Sequence, residues 1–138
     1  MFTEVDPAGQ TANDLERTYA RRLSEAIDSA GIDAVVDTTG LDRDGVERIA
    51  DGGRMDLQLS TAATVLALAN GRDPDAIEAD ARDRLLLAMS SAVLDVDALS
   101  RGLGATTPAK ELQAKIEGRQ PMTVAEYAKI AAYIAREQ

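Results

Sequence analysis

The sequence predicts an all-α fold of about eight helices, and three observations carry that reading. First, 45% of residues are hydrophobic, yet the aromatics are limited to Phe2, Tyr19, Tyr127 and Tyr133, so the core must be built from Leu, Ile, Val and much Ala. Small side chains of this kind suit close helix packing, whereas strands favour β-branched and aromatic residues. Second, no stretch alternates apolar and polar with the period of two that a half-buried strand requires. Third, one helical unit is written twice. Ile32-Asp33-Ala34 leads to Gly40, then Val46, Ile49 and Gly52, then an apolar stretch from Leu59 to Leu68. Val96-Asp97-Ala98 leads likewise to Gly104, then Leu112, Ile116 and Gly118, then Val124 to Ile134.

Taken in order, residues 1–12 carry Pro7, Gly9 and scattered polar groups and read as a flexible lead-in. Leu15, Tyr19, Leu23 and Ile27 recur at every fourth position and predict a first helix from about Asp14 to Ala30, stopped by Gly31. A short helix is expected at Ala34–Thr38. Asp42 is a good N-cap for the next, which points Val46 and Ile49 inward and ends at Gly52-Gly53. Ser60 is placed to cap the helix that follows, and Asn70-Gly71 ends it. Asp73 before Pro74 is a strong start signal, and the helix it opens should run to about Leu94 with Ile77, Ala81, Leu85, Ala88 and Ala92 on one stripe. Its length makes it the expected connector between the two units. Asp95 caps a short helix ending near Gly104, Thr107-Pro108 opens another that Gly118 closes, and Thr123 with Glu126 forms a capping box for the last. The expected organisation is therefore a lead-in at 1–12, a first unit at 13–71, and a spine helix with the second unit at 72–138, together forming one compact domain.

Composition excludes several kinds of chemistry. The chain has no Cys and no His, which removes disulfides, thiolate catalysis and the commonest general base and metal ligand. Asp42, Asp44 and Glu47 suggest a calcium loop only superficially, because Val46 falls where the third oxygen ligand belongs. Asp73, Asp75, Glu78, Asp80 and Asp83 read better as a solvated outer face than as a metal site, and Asp95 with Asp97 as a cap and its neighbour. Ser90-Ser91 lacks a base, and Gly102-Leu103-Gly104 lacks the preceding strand of a dinucleotide site. Met55, Met89 and Met122 read as gap fillers. The expectation is no enzyme, no cofactor and no metal. No apolar run approaches the roughly 20 residues of a membrane span and no secretory pattern opens the chain, so no membrane partner and a cytoplasmic location are expected.

The order helix, glycine turn, helix resembles the lambda-repressor-like (XRE-type) helix-turn-helix class, in which the second helix lies in the DNA major groove. Gly40-Leu41-Asp42 matches the glycine, apolar, capping-residue turn of that class, and Gly40 to Ile49 matches its usual length. The first reading helix is nevertheless acidic, offering Asp42, Asp44, Glu47 and Asp51 against Arg43 and Arg48, which opposes phosphate contact. The second reverses the balance: Lys110, Lys115 and Arg119 stand against Glu111 and Glu117, and Gln113 could address a base edge. From Ala98 onward six basic residues face four acidic ones, a local +2 on a chain of net charge −9, and all three lysines fall there. Ile116-Glu117-Gly118-Arg119-Gln120-Pro121, followed by Lys129-Ile130-Ala131, resembles the close of repressor-type units. The departure is a turn enlarged by Ala105-Thr106-Thr107.

The chain also resembles, over nearly its full length, a small haloarchaeal family without an assigned activity. The resemblance rests on Gly31-Ile32-Asp33-Ala34-Val35, on the segment from Ala92 to Leu99, and on Ile116 to Thr123 with Glu126-Tyr127-Ala128. It implies a salt-accumulating host, in keeping with 24 acidic against 15 basic residues and only three lysines. Two function classes follow. One is a DNA-binding regulator that contacts the duplex through Lys110, Gln113, Lys115 and Arg119, with Arg101 and Lys129 on phosphates. The other is a protein-interaction or structural module, with a protein partner or homodimer, that keeps the fold without binding DNA.

Overall fold

The computed structural model describes residues 2–53 and 56–138, so Met55 lies outside the described residues. Eight helices are found among them: α1 (Ala12–Ala30), α2 (Ile32–Thr39), α3 (Arg43–Ala50), α4 (Leu59–Asn70), α5 (Pro74–Ala92), α6 (Val96–Gly102), α7 (Ala109–Ile116) and α8 (Val124–Arg136). The predicted caps operate where the spacing placed them. The Asp42 carboxylate accepts from the Gly45 N–H at 2.6 Å, Asp73 from Asp75 at 3.0 Å, and Asp95 from Ala98 at 2.8 Å. The Thr123–Glu126 capping box is closed in both directions. A second box, unanticipated, joins Thr11 to Asp14 and starts α1 two residues earlier than expected.

The duplication is deeper than the repeated motif suggests. Helices α1 to α4 run 19, 8, 8 and 12 residues; α5 to α8 run 19, 7, 8 and 13. Thus α5 is the second repeat's counterpart of α1 rather than a strut between two bodies. The four longer helices close a ring in which α1 packs on α4, α4 on α5, α5 on α8 and α8 on α1. Across the ring α4 meets α8 at their starts, where residues 57–59 and 122–124 pair as a single antiparallel bridge between Gln58 and Thr123. Leu59 N–H donates to the Met122 carbonyl at 2.7 Å, and Val124 N–H to the Leu57 carbonyl at 2.9 Å. Each helix thereby satisfies its first orphan N–H on the loop that precedes the other. This replaces the expected Ser60 cap: Ser60 lies inside α4, whose N-cap is Gln58 with no side-chain capping bond.

The lead-in departs from expectation as well. Phe2 and Val5 are buried in the common core, and the Phe2 ring sits 5.2 Å from that of Tyr19 and 4.9 Å from that of Tyr127. Three of the chain's four aromatic side chains thus meet at one point, with Tyr127 O–H donating to the Ala81 carbonyl at 2.9 Å. Arg84 holds the Thr3 carbonyl at 2.5 Å, and Arg22 pairs with Glu4 at 3.0 Å. A core otherwise made of aliphatic side chains leaves a gap between α1, α5 and α8, and the ring of Phe2 fills it. Burial raises the phenol of Tyr19 to about 12 and lifts that of Tyr127 as well.

Truncating Phe2 therefore tests whether the lead-in belongs to the folded unit. Phe2→Ala should destabilise the protein by about 3 kcal/mol, lowering Tm by roughly 10 °C in a thermal melt followed by circular dichroism. A melt unchanged within a degree or two would show that residues 2–10 contribute nothing to the core.

Candidate functional site

The candidate cations stand on α6, α7 and α8, with Arg119 just beyond the end of α7. On α7, Leu112, Ala114 and Ile116 turn inward, leaving Lys110 and Gln113 exposed. Lys115 turns toward α8, where its ammonium is ion-paired with Glu126 and only 16% of its side chain is accessible. Beyond the end of α7, the Arg119 guanidinium donates to the Glu117 carboxylate at 2.8 Å, and Gln113 donates to the same carboxylate at 3.1 Å. Arg101 is exposed in the last turn of α6. Lys129, also exposed, shares with Arg136 a groove of about 330 Å³ between α8, Leu103 and residues 9–12. Of the six candidate contacts, three are engaged inside the chain; Arg101, Lys110 and Lys129 have no acidic partner among the described residues.

Electrostatics follow from these pairings. Burial alone would raise the Glu126 carboxyl, but the Lys115 ammonium and the N–H and hydroxyl of Thr123 outweigh it and hold the group below its ordinary value. Glu117 is lowered by its bonds from Arg119 and Gln113. The same carboxylate that closes the α8 capping box thus also anchors α7. Sequence reading missed a further anchor, Arg82 on α5. Its Nε donates to the Lys115 carbonyl at 3.0 Å and its guanidinium pairs with Glu78, with only 11% of the side chain accessible. It satisfies one of the open carbonyls at the C-terminal end of α7, where a cation is favoured.

Helix α3, the expected first reading helix, is held comparably. Arg43 pairs with Asp33 on α2, and the Ser24 hydroxyl donates to the Ala50 carbonyl at 2.5 Å, fastening the end of α3 to α1. Asp44, Glu47 and Arg48 remain exposed.

A different face is left open. Helix α2 packs on α1, but α6 makes no corresponding contact with α5. The outer side of α5 carries Leu86 and Leu87, 42% and 70% exposed, and Val93, 90% exposed, follows at its end. The corresponding positions of α1 are Ser24, Glu25 and Gly31. Val93 occupies the left-handed region at φ 54°, a conformation a β-branched residue seldom adopts; Gly31, at φ 91°, takes its place after α1. Scattered apolar residues on a surface need no explanation. Three within eight residues of one helix side, one of them strained, do.

The sequence model of a family of unknown function (DUF5791) matches residues 15–137, and the chain belongs to that family. No curated protein and no solved structure matches it. Among the described residues, no helix is long and apolar enough to cross a membrane.

The Lys115–Glu126 anchor has a pH signature. A carboxyl held below its unfolded value contributes stability that is present above that value, 4.5 for Glu, and is lost as the pH falls through the folded pKa. Glu126→Gln should be about 1 kcal/mol less stable than wild type at neutral pH, after allowance for the partly exposed carboxylate. Urea unfolding across a pH series should show the gap shrinking below pH 4.5, whereas a gap constant with pH would refute the assignment.

Proposed function

We propose that this member of DUF5791 is a non-enzymatic protein-interaction module that keeps a helix-turn-helix-like order without reading DNA. The observation that carries the reading is the engagement of the second unit's reading side chains by their own chain. Lys115 is held by Glu126, and Gln113 and Arg119 by Glu117, so Lys110 is the one cation of α7 left to face a phosphate. Phosphate contacts supply most non-specific affinity for DNA, and an overall charge of −9 with an acidic α3 works against them. Support for a protein partner comes from the exposed apolar side of α5. The absence of His and Cys accords with a non-catalytic role. The excess of acids and scarcity of lysine support a cytoplasmic origin in a salt-accumulating archaeon, where high salt screens the self-repulsion of such a surface.

A second reading, a DNA-binding regulator, is favoured by one observation: Arg101, Lys110 and Lys129 in the second repeat carry no acidic partner among the described residues. The two readings part in a duplex titration at two salt concentrations, both compatible with folding. Wild type should show no saturable binding to genomic fragments at either. Saturable binding that weakens steeply with salt, by about 0.9 in the log–log slope per phosphate engaged, and that disappears in Arg101→Ala/Lys110→Ala/Lys129→Ala would establish the DNA reading instead.

A further inference from the structure

The open side of α5 is patterned along its length. Ala79, Asp83, Leu86, Ser90 and Val93 are all exposed and recur with spacings of four and three, the interval that keeps residues on one seam of a helix pair. Leu87 lies beside Leu86 on the same side, opposite the buried stripe of Ile77, Ala81, Leu85 and Met89. The seam is polarised. Two carboxylates occupy its first half, Asp83 and Asp80, the latter already accepting from Arg72 at 2.8 Å; the two leucines sit at the middle; the hydroxyl donors Ser90 and Ser91 and the apolar Val93 occupy the second half.

A seam of this kind is complementary to itself when reversed. In an antiparallel pair centred between Leu86 and Leu87, Leu86 of one copy meets Leu87 of the other. Asp83 then faces Ser90 of the second copy, whose hydroxyl donates to the carboxylate, and Val93 covers the methylene and backbone beside Asp80. A two-fold interface repeats every contact, so each acceptor half finds a donor half. Ala79, Ser90 and Ser91 are small enough to let the two helix backbones approach. We infer that this protein is a homodimer joined by antiparallel packing of α5 against α5 of a second copy. The inference rests on the reading of the chain as a protein-interaction module and names its partner.

Three features single out a second copy rather than an unrelated chain. The polarity of the seam supplies its own complement. The equivalent positions of α1, among them Arg17, Arg21, Glu25 and Asp28, are polar or charged and exposed, so the apolar seam is present in one repeat alone. Val93 holds a strained left-handed conformation at 90% exposure in the single chain, and packing against the second copy places that side chain in an apolar contact. Each copy carries −9, so the pairing strengthens as salt screens the mutual repulsion, the opposite of a phosphate-driven contact.

Light scattering on the intact chain tests this at low and high salt. Wild type should show twice the chain mass of 14.6 kDa, with the dimer fraction rising with salt. Leu87→Glu, at a position already 70% exposed, should keep its helical spectrum and fall to the single-chain mass. Because the chain has no cysteine, Asp83→Cys/Ser90→Cys should cross-link cleanly into a covalent dimer under mild oxidation. Residues seven apart on one helix lie roughly 10 Å apart, beyond the reach of a disulfide, so an internal bond cannot mimic that product. A wild-type mass of one chain at both salts, a dimer that survives Leu87→Glu, or a double-cysteine variant that stays monomeric would each overturn the inference. None of these outcomes bears on duplex binding, so the interaction-module reading stands or falls separately on the titration.

Discussion

Two hydrogen bonds between helix starts set the arrangement on which the remaining structure depends. Leu59 and Val124 are the first residues of α4 and α8, and each donates its N–H to the loop carbonyl preceding the other helix. Neither N–H has an intrahelical acceptor, and a buried unpaired N–H would be destabilising by about 1–3 kcal/mol. The side chains around them, Leu57, Leu59, Met122 and Val124, are all buried, so water cannot stand in. The pairing therefore fixes how the two repeats face each other. Once α4 and α8 cross at that point, α1 is brought against α8 and α5 against α4, and the ring closes without a bond between α1 and α5.

The ring explains why so little aromatic material suffices. Each repeat taken alone has one long helix and three shorter ones, too few apolar faces to enclose a core. Exchanged packing, with the first helix of one repeat lying on the last of the other, buries both faces of α4 and α8 between neighbours. Alanine contributes much of that contact: Ala62, Ala63, Ala128, Ala131 and Ala132 are buried, and small side chains let the helices approach closely. What close approach leaves unfilled is the corner where Phe2, Tyr19 and Tyr127 meet.

Local signals were legible in the sequence and long-range ones were not. Asp42, Asp73, Asp95 and Thr123 announce their helices because a cap is decided within four residues of chain. The repeat was legible because glycine stops and apolar intervals survive duplication. Ser60 misled because a serine near a helix start is the usual cap, whereas the partner at α4 comes from residue 122, across the molecule. Phe2 reads as part of a flexible segment because a lone aromatic among polar residues has no periodicity to place it. The candidate site suffered most from this. Lys110, Lys115 and Arg119 look alike in a sequence, but the reach of Lys115 to Glu126 depends on where the fold places α7 relative to α8, which spacing along the chain does not encode.

The placement of α7 also explains why its side chains are tied to their neighbours. The helix has eight residues, little more than two turns, and α7 touches only α5 and α6 along its length. A helix so short has little stability of its own and must be fastened by side chains at its ends. Arg82 holds the Lys115 carbonyl, Lys115 reaches to Glu126, and Gln113 and Arg119 converge on Glu117. Lys115 is thereby withdrawn from the outer surface, whereas Gln113 and Arg119 stay accessible but paired with Glu117. In the first repeat α3 meets the same need differently, by packing against α1, by the Ser24 bond to Ala50 and by the Arg43–Asp33 pair, and Asp44, Glu47 and Arg48 remain exposed on it. In the second repeat Lys115 and Arg119 are engaged in holding the end of α7, while Lys110 is not. The outer side of α5, by contrast, presents Leu86, Leu87 and Val93 to solvent.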